Sequence, residues 1–222
     1  MRHRIVFAAV VLALATTAWA ADEFLVEDWK QKIGAAGVPP GWQGQNWGSP
    51  KYEFKVADND GHAALHMKSA NDGSTITRDI KGKVNLKQTP ILEWTWKVVV
   101  LPKNANSCKK ATDDQAAQVF VAWPRFPEAV RSRILGYVWD TTQPVGTICK
   151  SEKTATVTYV VVRSGTSELG KWLTERRNLV EDFTKVYGEA PDSPAAVSVA
   201  IDSNDTASSS ESFVATIEFK RK

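Results

Sequence analysis

The residues of this sequence best suited to chemistry are carboxylates at the ends of runs that read as strands. Asp113 and Asp114 precede one such run, Asp140 closes another, and Asp202 closes a third just before Asn204 and Asp205. Loops gather at strand ends, so acids placed there can converge on one groove, where a carboxyl held in a dry setting becomes an acid or a hydrogen-bond donor. The segment Asp202-Ser203-Asn204-Asp205-Thr206 begins like an oxygen-rich calcium loop, yet it lacks the glycine and the later glutamate of an EF-hand. A turn whose Asp and Asn side chains bond nearby backbone is the simpler reading. Four tryptophans in loops or at strand ends, Trp42, Trp47, Trp139 and Trp172, are candidates to line a groove and stack on flat ligand faces.

Nucleophilic and metal chemistry find little support. There is no serine elbow, no two-histidine zinc helix and no phosphate-cradling glycine loop. His62 and His66 share one short segment and read as satisfied surface residues. No cofactor and no resident metal are expected. Cys108 and Cys149 lack the spacing of a paired-cysteine metal site and, in an exported chain, are expected to form a disulfide.

Export itself is read from the first residues. Arg2, His3 and Arg4 precede an apolar run from Ile5 to Ala15 and the small-residue triplet Ala18-Trp19-Ala20, the layout of a secretory signal peptide. The run is about half of the roughly 20 residues needed to span a bilayer, so a membrane anchor is not expected. Of the 28 basic and 25 acidic residues, Arg2 and Arg4 belong to this leader, so the exported part is close to neutral. Its basic residues are scattered apart from Lys220, Arg221 and Lys222, which gives no nucleic-acid footprint.

The elements that must position these residues follow from periodicity. In Ile91–Val99, Leu92, Trp94, Trp96 and Val98 alternate with Glu93, Thr95 and Lys97, the pattern of a strand burying one face. Similar runs span Ala63–Lys68, Ser74–Ile80, Ala116–Trp123, Arg133–Trp139, Ala155–Val162, Ala195–Asp202 and Ser212–Phe219, with weaker ones at Phe24–Trp29 and Glu53–Ala57. Asn59-Asp60-Gly61 and Asn71-Asp72-Gly73 are turn signals, so short antiparallel connections are expected. Roughly nine or ten strands without βαβ alternation predict a mostly β, antiparallel jelly-roll β-sandwich, one domain over residues 21–222. One short amphipathic helix interrupts it: Asn178 and Glu181 have capping-box spacing, Leu179, Val180, Phe183, Val186 and Tyr187 form an apolar stripe, and Gly188 stops it. Arg177 sits beside the cap, where the positive end of the helix dipole disfavours a cation. It is expected to turn away and pair with Asp113, Asp114 or Asp202.

The order of motifs carries a resemblance. Leu92-Glu93-Trp94-Thr95-Trp96-Lys97 with Leu101-Pro102 is followed by Asp113-Asp114 leading into Val119-Phe120-Val121, then by Tyr137-Val138-Trp139. Trp172, Arg177-Asn178, Asp182-Phe183, Tyr187-Gly188-Glu189 and Asp202-Ser203-Asn204-Asp205-Thr206 complete it. The chain resembles, over nearly all of its exported part, the exported bacterial family catalogued as domain of unknown function 3047. The resemblance implies no catalytic residue, since that family has no assigned activity. It does imply two departures: a basic residue often stands where this chain has Gln118, and the acidic loop usually reads Asp-Asp-Asn or Asp-Asn-Thr where this one has Asn204-Asp205. At fold level alone the chain is also similar to carbohydrate-binding modules of galactose-binding-like type.

The functional expectation is a periplasmic binding or accessory module for a glycan or other polar ligand, with Asp113, Asp114, Gln118, Trp139, Trp172, Arg177, Asp202 and Asn204 at its site. The alternatives are a glycan-degrading enzyme using paired carboxylates, and a structural envelope protein. N-terminal sequencing of protein recovered from the periplasm should begin at Ala21; a chain that keeps Met1 in the cytoplasm would remove the basis for export.

Overall fold

The computed structural model describes residues 23–222, so the expected leader lies outside the described residues. In chain order the strands are β1 (Glu23–Glu27), β2 (Gln43–Gly44), β3 (Glu53–Asn59), β4 (His62–Ala70), β5 (Gly73–Asp79), β6 (Ile91–Val100), β7 (Ala117–Trp123), β8 (Arg133–Asp140), β9 (Ile148–Lys150), β10 (Val157–Ser164), β11 (Leu173–Asn178), β12 (Ala196–Asp202) and β13 (Ser209–Lys220). A four-residue helix α1 (Glu128–Arg131) precedes β8, and α2 (Leu179–Tyr187) follows β11. They form a two-sheet β-sandwich of jelly-roll type. The first sheet runs β11-β6-β13-β4-β3 with β1 also paired to β13, and the second runs β2-β5-β12-β7-β8-β10-β9. No helix among the described residues is long and apolar enough to cross a membrane.

Alternation decides which face of each strand is inside. Leu92, Trp94, Trp96 and Val98 of β6 are all fully buried, as are Leu135 and Tyr137 of β8 and Val197, Val199 and Ile201 of β12. Rings meet across the sandwich: Trp94 lies 5.2 Å from Tyr137 and Trp96 lies 6.1 Å from Trp139. Burying an aromatic of this size is worth about 2–3 kcal/mol, and a well-oriented ring pair adds about 1 kcal/mol.

The structure corrects the sequence reading in the direction of one pairing and adds three strands, β2, β9 and β11, to those expected. Among the described residues the strand pairings are antiparallel except that of β8 with β10, which is parallel. The chain leaves the end of β8 and returns through β9, which lies antiparallel on the far side of β10. A short edge strand therefore does the work that a crossover helix does elsewhere. Edge strand β11 has no apolar alternation because its side chains are satisfied by partners: Glu175 accepts from Trp96 Nε1 at 3.2 Å, and Arg176 pairs with Glu93 at 3.0 Å. The two-residue β2 is too short to show a period.

Helix α2 forms as its caps predict. The Asn178 side-chain oxygen, Oδ1, accepts from the backbone N–H groups of Val180 (3.1 Å) and Glu181 (3.4 Å), and Gly188 takes the left-handed conformation at φ 72°. Its buried Phe183 packs 4.7 Å from the Trp123 ring, closing one end of the sandwich.

Cys108 and Cys149 are bonded with their Cα atoms 5.7 Å apart. The bridge ties the long β6–β7 connection to edge strand β9, where Cys149 packs against Val138, Val157, Tyr159 and Val161 on the outer face of the second sheet. It closes a loop with a sequence separation of 41. The double variant Cys108→Ser/Cys149→Ser should lose about 4 kcal/mol in urea unfolding on the chain-entropy argument; a loss below about 1 kcal/mol would show that packing alone holds this connection.

Candidate functional site

A polar cleft of about 480 Å³ opens at one end of the second sheet. Its floor is formed by the ends of β12 and β10 with the segment before β7, which bring Asp202, Tyr159 and Asp113 together. Its rim is formed by the loop after β2, with Gln45 and Trp47, by the β4–β5 turn, and by Lys153 and Asn204.

Each wall has a local cause. Gln45 is held like an extra rung of the sheet: its side-chain oxygen accepts from Thr75 N at 2.7 Å, and its amide nitrogen donates to the carbonyls of Trp47 (3.0 Å) and Gly73 (3.3 Å). That fixed loop leaves Trp47 60% exposed at the cleft mouth. The β4–β5 turn is fastened by Asp72, which accepts from Ser74 Oγ at 2.7 Å and from Lys51 N at 3.2 Å. Its carbonyl accepts from Ser203 N at 2.9 Å, joining the turn to the loop after β12.

Two carboxyls share the floor through one residue. Asp113, 3% exposed, accepts from Gln115 Nε2 at 2.8 Å and from the Tyr159 hydroxyl at 3.3 Å. Asp202, half-buried, accepts from Gln115 N at 2.5 Å and Gln118 Nε2 at 3.1 Å. Burial pushes the Asp113 carboxyl up to about 6, overcoming the hydrogen bond from Gln115 and the charge of Lys153. Burial also raises Asp202 well above the usual carboxylate range, helped by the negative charges of Asp114 and Asp113. Tyr159 is raised as well, by burial and then by the Asp113 charge. A basic residue in place of Gln118 would ion-pair with Asp202 and work against this shift; the neutral amide leaves it in place. The floor thus carries two acids whose protonated, hydrogen-bond-donating forms burial favours.

Asp114 has a different task. Fully buried, it accepts from Asp205 N (3.0 Å), Thr206 N (2.7 Å) and Thr206 Oγ1 (2.6 Å), clamping the loop after β12 against the start of β7. The Asp205 carboxylate turns to the Lys153 ammonium. The segment that begins like a calcium loop is therefore a turn held by a neighbouring carboxylate, with Asn204 left exposed on the rim. Among the described residues no group of three or more His, Cys, Asp or Glu side chains is placed to hold a metal ion.

Other expected site residues lie elsewhere. Trp139 is 1% exposed in the core, its indole N–H donating to the Gly165 carbonyl at 3.1 Å, because its position on β8 faces inward. Trp42 is buried as well, stacked 5.2 Å from Trp29. Trp172 sits on the outer face of the first sheet, where His62 stacks on it at 4.4 Å and the Lys97 ammonium lies 5.0 Å from its ring. His66 is on that face too, stacked on Phe213 and bonded to Glu211 at 2.7 Å. Asp140 is consumed by the loop it starts, accepting from Ser107 N and Oγ and from Thr142 N and Gln143 N.

Half-buried Arg177 does find a carboxylate partner, but it is the buried Asp182 at 2.9 and 2.5 Å, and not Asp113, Asp114 or Asp202. The sequence reading overlooked that an acid in the first turn of α2 is within reach of a side chain folding back over the helix start. The Tyr137 hydroxyl, at 2.8 Å from Asp182, completes that group far from the cleft. Gln45, Thr75, Lys153 and Tyr159 were not legible as site residues; Tyr159 in particular reads as one more apolar strand position in Ala155–Val162.

Fold and cleft together define a β-sandwich protein with a polar site built on strand ends and loops. The chain belongs to the family described as Protein of unknown function (DUF3047), whose profile matches residues 40–218. No curated protein matches it. Among solved structures it is similar to the family 11 carbohydrate-binding module of Clostridium thermocellum in complex with a β-1,3-1,4-mixed-linked tetrasaccharide (11% identity, 91% of this chain and 98% of that one, TM-score 0.47). It is also similar to the family 30 carbohydrate-binding module of a Clostridium thermocellum cellulosomal cellulase (12%, 90% and 98%, 0.46). A cellulase derived from Cel12A of Rhodothermus marinus is a further likeness (10%, 87% and 98%, 0.45).

The raised Asp113 carboxyl has a measurable consequence. Its proton is held more tightly in the folded chain than in the unfolded one, so the stability it contributes is full below about pH 4 and is lost as pH rises through about 6. Asp113→Asn should remove about 2 kcal/mol of that fall between pH 4 and 7, read from chemical denaturation across the pH range. An unchanged pH profile in the variant would show that Asp113 titrates normally.

Proposed function

We propose that this protein is an exported glycan-binding module whose cleft holds sugar residues between the Trp47 indole and the Asp113–Asp202 floor. The observation that carries the proposal is the exposed indole of Trp47 fixed beside a polar cleft by the Gln45 hydrogen bonds. Sugars offer a C–H face and a rim of hydroxyls, so one aromatic plate plus convergent polar groups is the recognition chemistry they need. Asp113, Asp202, Gln45 and Asn204 supply donors and acceptors without a large net charge, which suits neutral hydroxyls. The periplasm is the compartment this reading requires, and the disulfide is compatible with it.

Titration of the purified protein with a panel of neutral oligosaccharides should give saturable quenching or shift of Trp47 emission. Trp47→Ala should weaken binding about tenfold or more, the equivalent of about 1.4 kcal/mol, with the fold unchanged by circular dichroism. Equal affinity in the variant would rule out stacking at this indole.

A second reading is favoured by one specific observation, the pair of raised carboxyls on a shared floor. It is glycan hydrolysis with Asp113 or Asp202 as the acid. Release of reducing ends by the parent protein, abolished in both Asp113→Asn and Asp202→Asn, would establish it; binding without release leaves the module as a binder.

A further inference from the structure

A second hollow, of about 450 Å³, lies between the edge of the second sheet and the last turn of α2. Three cations line it: Arg133 from the start of β8, Lys150 from the end of β9 and Lys185 from α2. The hydroxyl side chains there are Thr156, Thr158 and Tyr187, and among the described residues no carboxylate lines the hollow. From this we infer that the hollow is an oxyanion site, taking a tetrahedral dianion such as a phosphate or sulfate group.

Arg133 carries the argument. Its Nε atom is buried and has no hydrogen-bond partner. The nearest carboxylate, Glu189, is 4.0 Å away, beyond hydrogen-bond reach, and is bonded to Arg125 at 2.6 Å. The guanidinium lies over the Tyr187 ring at 4.8 Å, and that ring is held by its hydroxyl donating to the Ile134 carbonyl at 3.1 Å, an arrangement that favours the present orientation of Arg133. A buried N–H on a charged group left without an acceptor is costly, and an anion seated in the hollow would supply the acceptor.

Charge balance points the same way. Lys150 and Lys185 are exposed and form no ion pair among the described residues, so both ammonium groups are available to an incoming anion. The negative end of the α2 dipole opposes an anion here, and Lys185 in the last turn offsets it. Glu189 is shared between Arg125 and Arg133, which leaves Lys150 and Lys185 uncompensated by it. Three donors of positive charge around one hollow match a group with several equivalent oxygens better than a neutral sugar. The hollow shares no lining residue with the Trp47 cleft, and it does not depend on the glycan reading.

The test is an NMR titration with sodium phosphate and with sodium sulfate, against sodium chloride at matched ionic strength, following the Arg133 Nε–H signal. The expected result is a saturable shift with both oxyanions, absent with chloride, and an affinity at least tenfold weaker in Lys150→Ala/Lys185→Ala. Both lysines are exposed, so the variant should keep its fold, checked by an unchanged spectrum around the cleft. A shift that is linear in salt, matched by chloride, or unaltered in the double variant would overturn the proposal. Glucose 6-phosphate against glucose then separates the sources: tighter binding than inorganic phosphate marks an esterified group, and equal binding marks the free ion.

Discussion

Contact between the inward aromatic faces of β6 and β8 is the constraint on which the rest depends. Trp94 and Trp96 come from the middle of one sheet, Tyr137 and Trp139 from the middle of the other, and their rings meet within 5.2 to 6.1 Å. A one-residue slip of either strand would turn these rings to solvent, so the contact fixes register in both sheets at once. With register fixed, the ends of β5, β7, β10 and β12 fall together, and the floor of the cleft follows from that alignment.

The cleft is then finished by polar fastenings laid over a rigid sheet. Asp114 holds the loop after β12, Asp72 holds the β4–β5 turn, and Gln45 holds the loop that presents Trp47. Each uses a buried or half-buried side chain to satisfy backbone N–H groups that no strand partner reaches. This leaves Asp113 and Asp202 with amide and phenol donors but no direct ion pair, and burial outweighs the more distant charge of Lys153 and raises both. The contrast with Glu27 is instructive. Burial works to raise that carboxyl too, but hydrogen bonds from Lys32, Trp42 and Trp29 outweigh it and hold Glu27 below its usual range.

Where sequence and structure part company, the cause is a partner far away in the chain. Period-two alternation located β4, β5, β6, β7, β8, β10, β12 and β13 within a few residues, because each buries one face. It missed β11, whose Glu175 and Arg176 are satisfied by residues of neighbouring strands. It also missed the parallel pairing of β8 and β10, since direction is set by where β9 returns and not by any side-chain pattern. Among site residues, Asp113, Asp202 and Asn204 stood out as polar groups at strand ends and do line the cleft, while Asp114 and Gln118 stand behind it as supports.

By itself the sequence determined the elements whose cause is local: strands that bury one face, the cap of α2 at Asn178, its stop at Gly188, and the polar turns between strands. Tertiary structure alone decided which tryptophans are core and which is exposed, because Trp139 and Trp47 differ in the face and loop that carry them and not in any neighbouring residue type. It also decided the partner of Arg177, since the reach of a flexible side chain to Asp182 depends on the angle at which α2 leaves β11. The same is true of the raised carboxyls: an aspartate is written identically in the sequence whether water surrounds it or a folded sheet excludes it.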